Sequence, residues 1–467
     1  MEHFDLIIIG SGSGNSIPTE LADRWKIAVI ERGVFGGTCL NVGCIPSKMF
    51  VLPADLAEQA RHGPGLGVNT SFHDADWPAI RDRVFGRIDL ISEGGKQYRR
   101  DGHPNITLIE GTARFVGDRR IKVGGVTHAA DRVLIATGAR AMIPPINGLA
   151  ATRHHTSDTI MRLDRLPRRL GIIGGGFIAA ELGHVFSAFG TEVTLFNRSN
   201  RLLRTHDRDV SQRFTEVFGK RVDLRLGRIP TEIHEVGDAI ALTVHPDDDG
   251  VEFVEVDELL VATGRFPRSH DLDVHAAGIE VHPDGRIVTD DTMATCVEGV
   301  WAVGDVTNDH QLKHLANREA EIAFWNMTNP DQPRRIDRSV LPHAVFSDPQ
   351  IGTVGMTEQE AEAHEIDYVV GRRDYGGTAF GWALEDDSSF AKVIIERATR
   401  KIIGAHVLGP QAASLIQLLV NAMTFGHTAD EVAKAPFYVH PAATEVIENA
   451  VLDGLEQLER SGPVSLG

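Results

Sequence analysis

Cysteine is scarce in this chain, with three residues in 467: Cys39, Cys44 and Cys296. So few cysteines exclude the disulfide framework of a small secreted protein. Long apolar runs are also missing, since no stretch approaches the roughly 18 residues of a membrane span. The N-terminal "MEHFDLIIIG" has neither a basic leader nor a small-residue cleavage site. Positive charge is in deficit, because the formal net charge is −18, which disfavours nucleic acid as a partner. We therefore expect a cytoplasmic protein that binds neither membrane nor nucleic acid.

An internal duplication dominates the first 270 residues. "FDLIIIGSGSGN" (4–15) is an apolar strand followed by a glycine-rich turn, and "RRLGIIGGGFIAAELGHVF" (168–186) repeats that plan. A second strand follows each turn, in "KIAVIERG" and in "TEVTLF" (191–196), and each unit has a later strand that ends in Ala-Thr-Gly, "RVLIATGAR" (132–140) and "LLVATGRFP" (259–267). The repeat predicts two Rossmann-like dinucleotide-binding domains in an α/β protein.

The domain boundaries follow from changes in pattern along the chain. The proline-rich "AMIPPINGL" (141–149) ends the first unit, 1–150, and leads into the second, 151–270. "GVWAVGDV" (299–306) is an apolar strand that we expect to return to the first unit within a segment 271–339. From about residue 340 the pattern changes to antiparallel strands and then to helices from about 412 to 460. This predicts a third, α+β domain over 340–467.

The first glycine turn has the composition of a dinucleotide site. Gly10 and Gly12 permit a tight turn and a close approach of the backbone to a pyrophosphate at the N-terminus of the following helix. Glu31, 21 residues after Gly10, can accept hydrogen bonds from ribose hydroxyls. Asn15 replaces the usual third glycine, so the packing of helix against strand must accommodate a side chain.

The second glycine turn favours a phosphorylated nucleotide. Gly174 and Gly176 are followed by Ala179 at the close-packing position. Where an NAD site would place an acid, the chain has Asn197, followed by arginines at 198, 201 and 204. Arginines suit a 2′-phosphate by charge and by geometry, so NADPH is favoured over NADH. The alternative is a solvated basic face after a strand.

The pair Cys39 and Cys44, separated by four residues in "GGTCLNVGCIP", is poorly suited to metal or to cross-linking. A thiolate metal site needs three or four ligands, and Cys296 lies in an unrelated stretch. Closing a loop of about six residues removes little chain entropy. A redox-active pair remains, and Cys44 is the better candidate for a stabilised thiolate, because Pro46 marks a helix start and Lys48 adds positive charge.

Thiol–disulfide exchange also needs a group that takes up and returns a proton near pH 7, and histidine fits best. The segment "FYVHPAATEVIENA" (437–450) contains His440 next to Pro441, with Glu445 five residues later, where it can orient the imidazole ring. Any one of the 21 histidines is more often a surface or core residue. His440 and Glu445 are therefore catalytic candidates only in combination with the cysteine pair.

Together these motifs resemble the flavoprotein pyridine nucleotide-disulfide oxidoreductases over the entire chain. The resemblance rests on the first glycine turn, "GGTCLNVGCIPSK", the second glycine turn, the two Ala-Thr-Gly strands, "GVWAVGD" and "HPAATE". It implies FAD in the first domain, NADPH in the second, and a disulfide between Cys39 and Cys44 against the flavin. It also implies a homodimer formed by the C-terminal domain, in which His440 and Glu445 complete the partner's active site.

The resemblance further implies roles for individual positions. Cys39 would attack the substrate disulfide, Cys44 would be the flavin-side charge-transfer thiolate, Lys48 and Glu181 would pair near the flavin ring, and His440 with Glu445 would protonate the leaving thiol. FAD would be contacted by Gly10, Gly12, Ser13, Gly14, Glu31, Thr38, Lys48, Ala113 and Asp305. NADPH would be contacted by Gly174, Gly175, Gly176, Ile178, Glu181, Arg198, Arg204 and Gly264. No metal is expected.

Several segments resemble the mycothione-reducing branch of this family. They are "GSGSGNS", "FGRID" (85–89), "HTSDTIMRL" (155–163), "LKHLANREA" (312–320) and "DYGGTAFGWALEDD" (374–387). Two positions depart from glutathione reductases: Glu20 replaces an arginine, and Lys313-His314 replaces a Thr-Pro pair. A negative charge at position 20 would disfavour a substrate with several carboxylates, and mycothione has none. The alternative for Glu20 is a solvated helix residue.

Other members of the family fit less well. A dihydrolipoamide dehydrogenase would carry an acid near position 197, and a mercuric reductase would need a further cysteine pair in the C-terminal "VLDGLEQLERSGPVSLG". Glutathione disulfide or another small disulfide is the alternative substrate. A non-catalytic FAD-binding scaffold is the alternative from another class, although binding alone needs neither the cysteines nor His440.

Overall fold

The computed structural model describes residues 2–245 and 250–460. The first unit is built on a parallel sheet whose two faces are both covered. Alternate residues of its first strand pack into different core clusters: Ile7 and Ile9 into one, Leu6 and Ile8 into the other. Such two-sided burial is typical of parallel sheets. The elements are β1 (Glu2–Ile9), α1 (Thr19–Arg24), β2 (Ile27–Glu31), α2 (Gly37–Asn41), α3 (Cys44–His62), α4 (Trp77–Asp101), β3 (Ile106–Glu110), β4 (Arg114–Gly117), β5 (Arg120–Val123), β6 (Val126–Ile135) and β7 (Ala139–Ala141).

The strand order of this sheet is β3-β2-β1-β6-β5-β4. Strands β3, β2, β1 and β6 run parallel, and β4 and β5 join as antiparallel strands. The parallel strands all end at the same edge, so the loops after β1, β2 and β6 lie side by side. That edge positions the first glycine turn beside Glu31 and the first Ala-Thr-Gly segment.

The second unit repeats the parallel arrangement in a smaller sheet. Its elements are β8 (Arg169–Ile173), α5 (Phe177–Ala188), β9 (Glu192–Asn197), α6 (Arg208–Phe218), β10 (Asp223–Leu226), β11 (Glu232–Val236), β12 (Ala239–Val244), β13 (Glu252–Val256), β14 (Glu258–Val261) and β15 (Arg265–Pro267). The parallel order is β10-β9-β8-β14, and β11, β12 and β13 form an antiparallel sheet. Strand β15 pairs with β7, so the two connections between the units lie together.

The chain then returns to the first sheet through β16 (Val300–Ala302), and α7 (Lys313–Thr328) follows. Strand β16 pairs in parallel with the end of β6, from Val133 to Ile135. The first sheet is therefore assembled from segments that lie on both sides of the second unit in sequence. The boundaries inferred at residues 150, 270 and 339 stay a prediction.

The C-terminal unit has an antiparallel sheet in the order β17-β18-β21-β20-β19. A Cβ at Gly371 of β19 would lie 2.1 Å from the carbonyl oxygen of Ala450, so glycine lets the last helix pack closely on the sheet. Residues 461–467 of the predicted domain lie outside the described residues. The elements are β17 (His343–Val345), β18 (Ile351–Gly355), α8 (Glu358–Ala363), β19 (Tyr368–Asp374), α9 (Ala379–Leu384), β20 (Phe390–Glu396), β21 (Ile402–Leu408), α10 (Ala412–Thr424), α11 (Ala429–Lys434) and α12 (Thr444–Arg460).

A buried ion cluster joins the second unit to the C-terminal unit. The Lys392 ammonium, on a side chain that is 1% exposed, lies 2.9 Å from Asp207, 2.8 Å from Asp209 and 2.5 Å from Glu358. Asp207 caps the N-terminus of α6, whereas Lys392 belongs to β20. Because several hydrogen-bonded carboxylates surround it, this buried cation is compensated. The cluster fixes the N-terminus of α6 relative to the C-terminal sheet.

The helix that follows the first glycine turn does not begin at the turn itself. A single 3-10 turn, Ser13–Asn15, comes first, and after this interruption α1 begins at Thr19. Pro18 explains the interruption, since proline lacks the N–H that a helix interior needs and is accommodated at a helix start.

Candidate active site

A cavity of about 790 Å³ opens where the strand ends of the first sheet face α3, α5 and α7. Its volume falls within the range of about 300 to 1,000 Å³ that is usual for ligand sites. The cavity brings together residues from positions as distant in sequence as Ile9 and Ala316. The predicted site residues that line it are Gly10, Gly12, Ser13, Glu31, Thr38, Cys39, Cys44, Lys48, Ala113, Ile178, Glu181 and Asp305.

The part of the cavity near the first glycine turn fits a dinucleotide. Gly10 has a φ of +107°, and a Cβ there would lie 2.4 Å from the Ala136 carbonyl oxygen, so the position requires glycine. The Glu31 carboxylate accepts hydrogen bonds from Ser11 N at 3.0 Å and from Gly33 N at 2.8 Å, which hold it at the end of β2. The buried Thr137 hydroxyl has no hydrogen-bond partner within the described ranges and lines the cavity. Exposed backbone, a fixed acid and an unsatisfied hydroxyl are the groups that FAD would engage.

Two other residues of this turn, Gly14 and Asn15, make contacts within the protein. Gly14 does not line the cavity, and a Cβ there would lie 2.5 Å from the Ala136 side chain. The Asn15 side chain accepts a hydrogen bond from Arg99 Nε at 2.8 Å, and the Asn15 carbonyl accepts one from the same guanidinium at 2.8 Å. Arg99 of α4 thus anchors the turn where the helix is interrupted.

The cysteines lie at the junction of α2 and α3. Cys39 belongs to α2 and is half-buried, while Cys44 is the first residue of α3 and is exposed to the cavity. Both are free thiols in the structure, and the disulfide that the resemblance implies between them stays a prediction. Their side chains share a hydrogen bond that Cys39 donates.

That hydrogen bond separates the acidities of the two thiols. The pKa of Cys44 is lowered to about 6, by this hydrogen bond above all and also by the Lys48 charge, against the opposing effects of burial and Glu181. The same hydrogen bond, together with burial and the Cys44 charge, raises the pKa of Cys39, while the Lys313 charge lowers it. Near pH 7 the pair therefore holds one proton, on Cys39, and Cys44 is the thiolate.

Lys48 and Glu181 form an ion pair beside Cys44. The ammonium contacts both carboxylate oxygens, at 2.8 and 2.7 Å, and lies 4.7 Å from the centre of the Phe346 ring. Glu181 also accepts a hydrogen bond from Phe346 N at 3.0 Å. Since α3 supplies the lysine and α5 the glutamate, the pair links the cysteine helix to the helix that follows the second glycine turn.

The second glycine turn lies next to the arginine-rich loop. Gly174 has a φ of +135°, and a Cβ on Gly175 would lie 2.6 Å from the Asn197 amide group. Asn197 donates hydrogen bonds to the carbonyls of Ser199 and Arg201, at 3.0 and 2.9 Å. Leu203 N donates to the Gly175 carbonyl at 2.7 Å. The loop of residues 198–204 is thereby folded back onto the glycine turn.

The remaining nucleotide residues lie outside the cavity. Arg198 and Arg204 are exposed on the loop just described, and Gly264, with a φ of +123°, lies near the Met142 side chain. Gly176 caps the N-terminus of α5, where no atom within 4 Å would meet a Cβ. Ile178 and Glu181 of the same helix do line the cavity, so α5 connects the two glycine-turn regions.

His440 and Glu445 form a pair that does not line the cavity of their own chain. His440 Nδ1 lies 2.5 Å from Glu445 Oε1, and the exposed fractions of the two side chains are 70% and 15%. The second carboxylate oxygen, Oε2, is buried without a hydrogen-bond partner among the described residues. Phe437 and Val439, beside the histidine, are strongly exposed. The imidazole is thus held by its carboxylate at the surface and does not line the cavity that contains the chain's own cysteines.

Sequence reasoning missed several residues of the cavity wall. Phe177, 41% exposed, is the first residue of α5, directly after the second glycine turn. Arg162 pairs with Asp89 at 2.6 Å, and its guanidinium lies 3.7 Å from the centre of the Phe85 ring. This ion pair joins the segments "FGRID" and "HTSDTIMRL", which lie far apart in the sequence. In the sequence, the one signal for Phe177 is that an aromatic residue comes directly after the second glycine turn.

Neither a metal cluster nor a membrane-spanning helix is found among the described residues. In residues 2–245 and 250–460, no group of three or more His, Cys, Asp or Glu side chains is arranged to hold a metal ion. Within these ranges no helix combines the length and apolar character needed to cross a membrane.

Comparison with known proteins places this geometry in a family. The family model described as pyridine nucleotide-disulphide oxidoreductase matches residues 4–320, and the model of the dimerisation domain of that family matches residues 341–451. Mycothione reductase of Mycobacterium tuberculosis is 43% identical over 462 residues, covering 97% of this chain and 99% of the relative. Mercuric reductase of Bacillus cereus is 33% identical over 93% of this chain and 69% of the relative.

A solved structure agrees with the sequence matches. The HOCl-induced flavoprotein disulfide reductase RclA of Escherichia coli superimposes with a TM-score of 0.84 at 27% identity, over 97% of this chain and 99% of that chain. The protein carries the cysteine pair, both glycine turns and the dimerisation domain in one chain. It therefore belongs to the pyridine nucleotide-disulphide oxidoreductase family and is an NAD(P)H-dependent, FAD-containing disulfide reductase.

Proposed function

We propose that the protein reduces mycothione, the disulfide of mycothiol, with electrons from NADPH in a reducing cytoplasm. The observation that carries the substrate is the full-length likeness to the mycothione reductase of Mycobacterium tuberculosis, at 43% identity against 33% for the mercuric reductase. Glu20 lies exposed on α1 and does not line the cavity, so the substrate proposal does not depend on it.

The cysteines perform the exchange. FAD, when bound in the cavity, would accept a hydride from NADPH and pass two electrons to the pair. The Cys39 sulfur, after losing its proton to a base, attacks one sulfur of the substrate disulfide. The leaving thiolate then takes up the proton that the base received. The Cys44 thiolate then attacks the Cys39 sulfur of the mixed disulfide and releases the second thiolate. Two electrons leave the dithiol, and the Cys39–Cys44 disulfide is formed.

The base in this scheme is His440 of a second copy of the chain. The His440–Glu445 pair is exposed and lies outside the cavity of its own chain, which supports a site shared across a homodimer. Mixing of inactive variants tests this arrangement. C39S and H440N homodimers should each be inactive, and after unfolding and refolding together about half the dimers carry one intact site of two, giving about a quarter of wild-type activity. Recovery of no activity, with mixed dimers present, would contradict a shared site.

The preference for NADPH rests on the arginine loop. Arg198 and Arg204 are exposed on a segment that the Leu203–Gly175 hydrogen bond holds against the second glycine turn. Replacing both by Ala should raise KM for NADPH at least tenfold, since charge-assisted phosphate contacts are lost, and leave KM for NADH nearly unchanged. A control variant replaces Arg208, which is exposed on α6. An equal loss with both nucleotides would identify the arginines as a general basic face.

A panel of disulfides decides the substrate. Purified protein with NADPH should reduce mycothione faster than glutathione disulfide or lipoamide, and C39S should abolish reduction while FAD stays bound. A faster reaction with glutathione disulfide would replace mycothione by the alternative substrate. No turnover of any disulfide would favour a non-catalytic FAD-binding scaffold, and loss of FAD from C39S would identify the cysteines as structural.

A further inference from the structure

Lys313 is a cavity residue to which neither the fold nor the proposed reaction assigns a role. It is the first residue of α7, is half-buried, and lines the same cavity as Cys39 and Cys44. Its ammonium donates a hydrogen bond to the Ser13 hydroxyl at 3.0 Å. The resemblance to glutathione reductases implies a Thr-Pro pair at the position of Lys313-His314, so this chain carries a charge where those enzymes have none.

The position is unfavourable for a cation. A helix N-terminus carries positive partial charge and favours acids, and the first turn of α7 has no acidic residue. In the described part of the chain no carboxylate lies within 4.0 Å of the Lys313 ammonium. The cavity cations Arg32, Lys48 and Arg162 differ in this respect, since their nearest carboxylates lie at 2.8, 2.7 and 2.6 Å. No carboxylate among the described residues therefore pairs with Lys313, and its charge would stabilise an anion formed in the cavity.

We propose that Lys313 is a positioning residue for thiol–disulfide exchange, whose ammonium stabilises the Cys39 sulfur as the thiolate that attacks the substrate. The inference rests on the proposed reductase activity and deepens it. Cys44 has the Cys39 hydrogen bond and Lys48 to hold its negative charge. The Cys44 side chain and burial oppose the ionisation of Cys39, whereas Lys313 is the cation that favours it, together with a backbone hydrogen bond at Cys44. Each of the two sulfurs thus has its own lysine.

Alkylation of Cys39 tests, without any turnover, whether Lys313 stabilises the Cys39 thiolate. In a C44S background, which removes the coupling within the pair, FAD-loaded protein is treated with iodoacetamide from pH 6 to 10. The modified peptide that contains Cys39 is then quantified by mass spectrometry. Replacing Lys313 by Met should lower the alkylation rate at pH 7.5 about tenfold, as expected if the pKa of Cys39 rises by about one. Lys313→Arg should retain most of the rate, and replacement of the exposed Lys220 should leave it unchanged.

Three results would overturn the inference: an unchanged Cys39 profile in Lys313→Met, an Arg variant that behaves like the Met variant, or weaker FAD binding with an unchanged profile. The last result would assign the charge to the phosphates of the cofactor. Failure of every disulfide in the turnover panel would overturn the proposed function alone, because the alkylation comparison needs no substrate. In the wild-type background, agreement requires kcat/KM for the disulfide to fall in Lys313→Met and to recover in Lys313→Arg.

Discussion

The Lys48–Glu181 ion pair beside Cys44 leads to two predictions of opposite sign for the pKa of Cys44. The pKa of Cys44 is lowered to about 6 by the hydrogen bond from Cys39, with a further contribution from Lys48. Replacing Lys48 by Met removes that cation and leaves the Glu181 carboxylate, which itself disfavours a thiolate at Cys44. Both effects raise the pKa of Cys44. Replacing Glu181 by Gln removes the opposing charge and should lower the pKa of Cys44.

The magnitude follows from the ionised fraction. With a pKa of about 6, half of Cys44 is thiolate at pH 6, and raising the pKa to about 7 reduces that fraction to about one eleventh. Alkylation of Cys44 at pH 6 should therefore slow about fivefold in Lys48→Met if its pKa rises by about one. It should quicken by at most about twofold in Glu181→Gln, because the ionised fraction has an upper limit of one.

The assay is the pH profile of iodoacetamide alkylation of reduced protein, followed on the peptide that contains Cys44. The double variant K48M/E181Q should lie between the two single variants, since both members of the pair are then neutral. Exposed Lys122→Met is the matched control for loss of one positive charge. A Cys44 profile in Lys48→Met that is unchanged, or displaced to lower pH, would refute the assignment of Lys48 as the cation that stabilises this thiolate.

Three further predictions concern stability and cofactor binding. Replacing Lys392 by Met leaves the buried Asp207 and the partly exposed Asp209 and Glu358 without their shared cation. Breaking such a cluster costs about 3 to 5 kcal/mol, so Tm measured by calorimetry should fall by about 3 to 5 °C in a chain of 467 residues, and an unchanged Tm would contradict the reasoning. Replacing Arg99 by Ala removes both hydrogen bonds to Asn15 and should weaken FAD binding in fluorescence titration, whereas Arg100→Ala should not. Burial lowers the pKa of His206 to about 3 and of His343 to about 4. Below pH 6.5 the unfolded chain thus binds more protons than the folded chain, and the urea midpoint should drop progressively as pH falls from 6.5 to 4.

The parts of the site that sequence predicted are those fixed by local backbone chemistry. Gly10 and Gly174 need positive φ values, Glu31 ends a buried strand, and Cys44 begins a helix, so each position follows from its immediate neighbours. The cavity that joins these segments follows from parallel strands ending at one sheet edge. Local pattern and topology therefore account for most of the predicted cofactor residues and the cysteines that line the cavity.

The parts that sequence did not predict depend on contacts between distant segments. Lys392 meets Asp207 across 185 positions, and Arg99 meets Asn15 across 84, and neither lysine nor arginine has a local pattern that reveals its partner. The interruption after Asn15 was missed although Pro18 is visible in the sequence, because a glycine turn of this kind usually leads straight into a helix. The direction in which His440 faces could not be obtained from one chain's sequence, since its proposed target belongs to another copy.

The pairing of β16 with β6 has a consequence for how the protein is made. The edge of β6 at Val133–Ile135 is covered by residues Val300–Ala302. During synthesis this edge therefore stays unpaired until the ribosome has added the whole second unit. An uncovered strand of buried apolar residues is a template for association with other chains. A nascent or truncated chain that ends before residue 300 is therefore the form of this protein most exposed to aggregation. The second unit can bury its own parallel sheet, so it is able to fold before residues 300–302 are added.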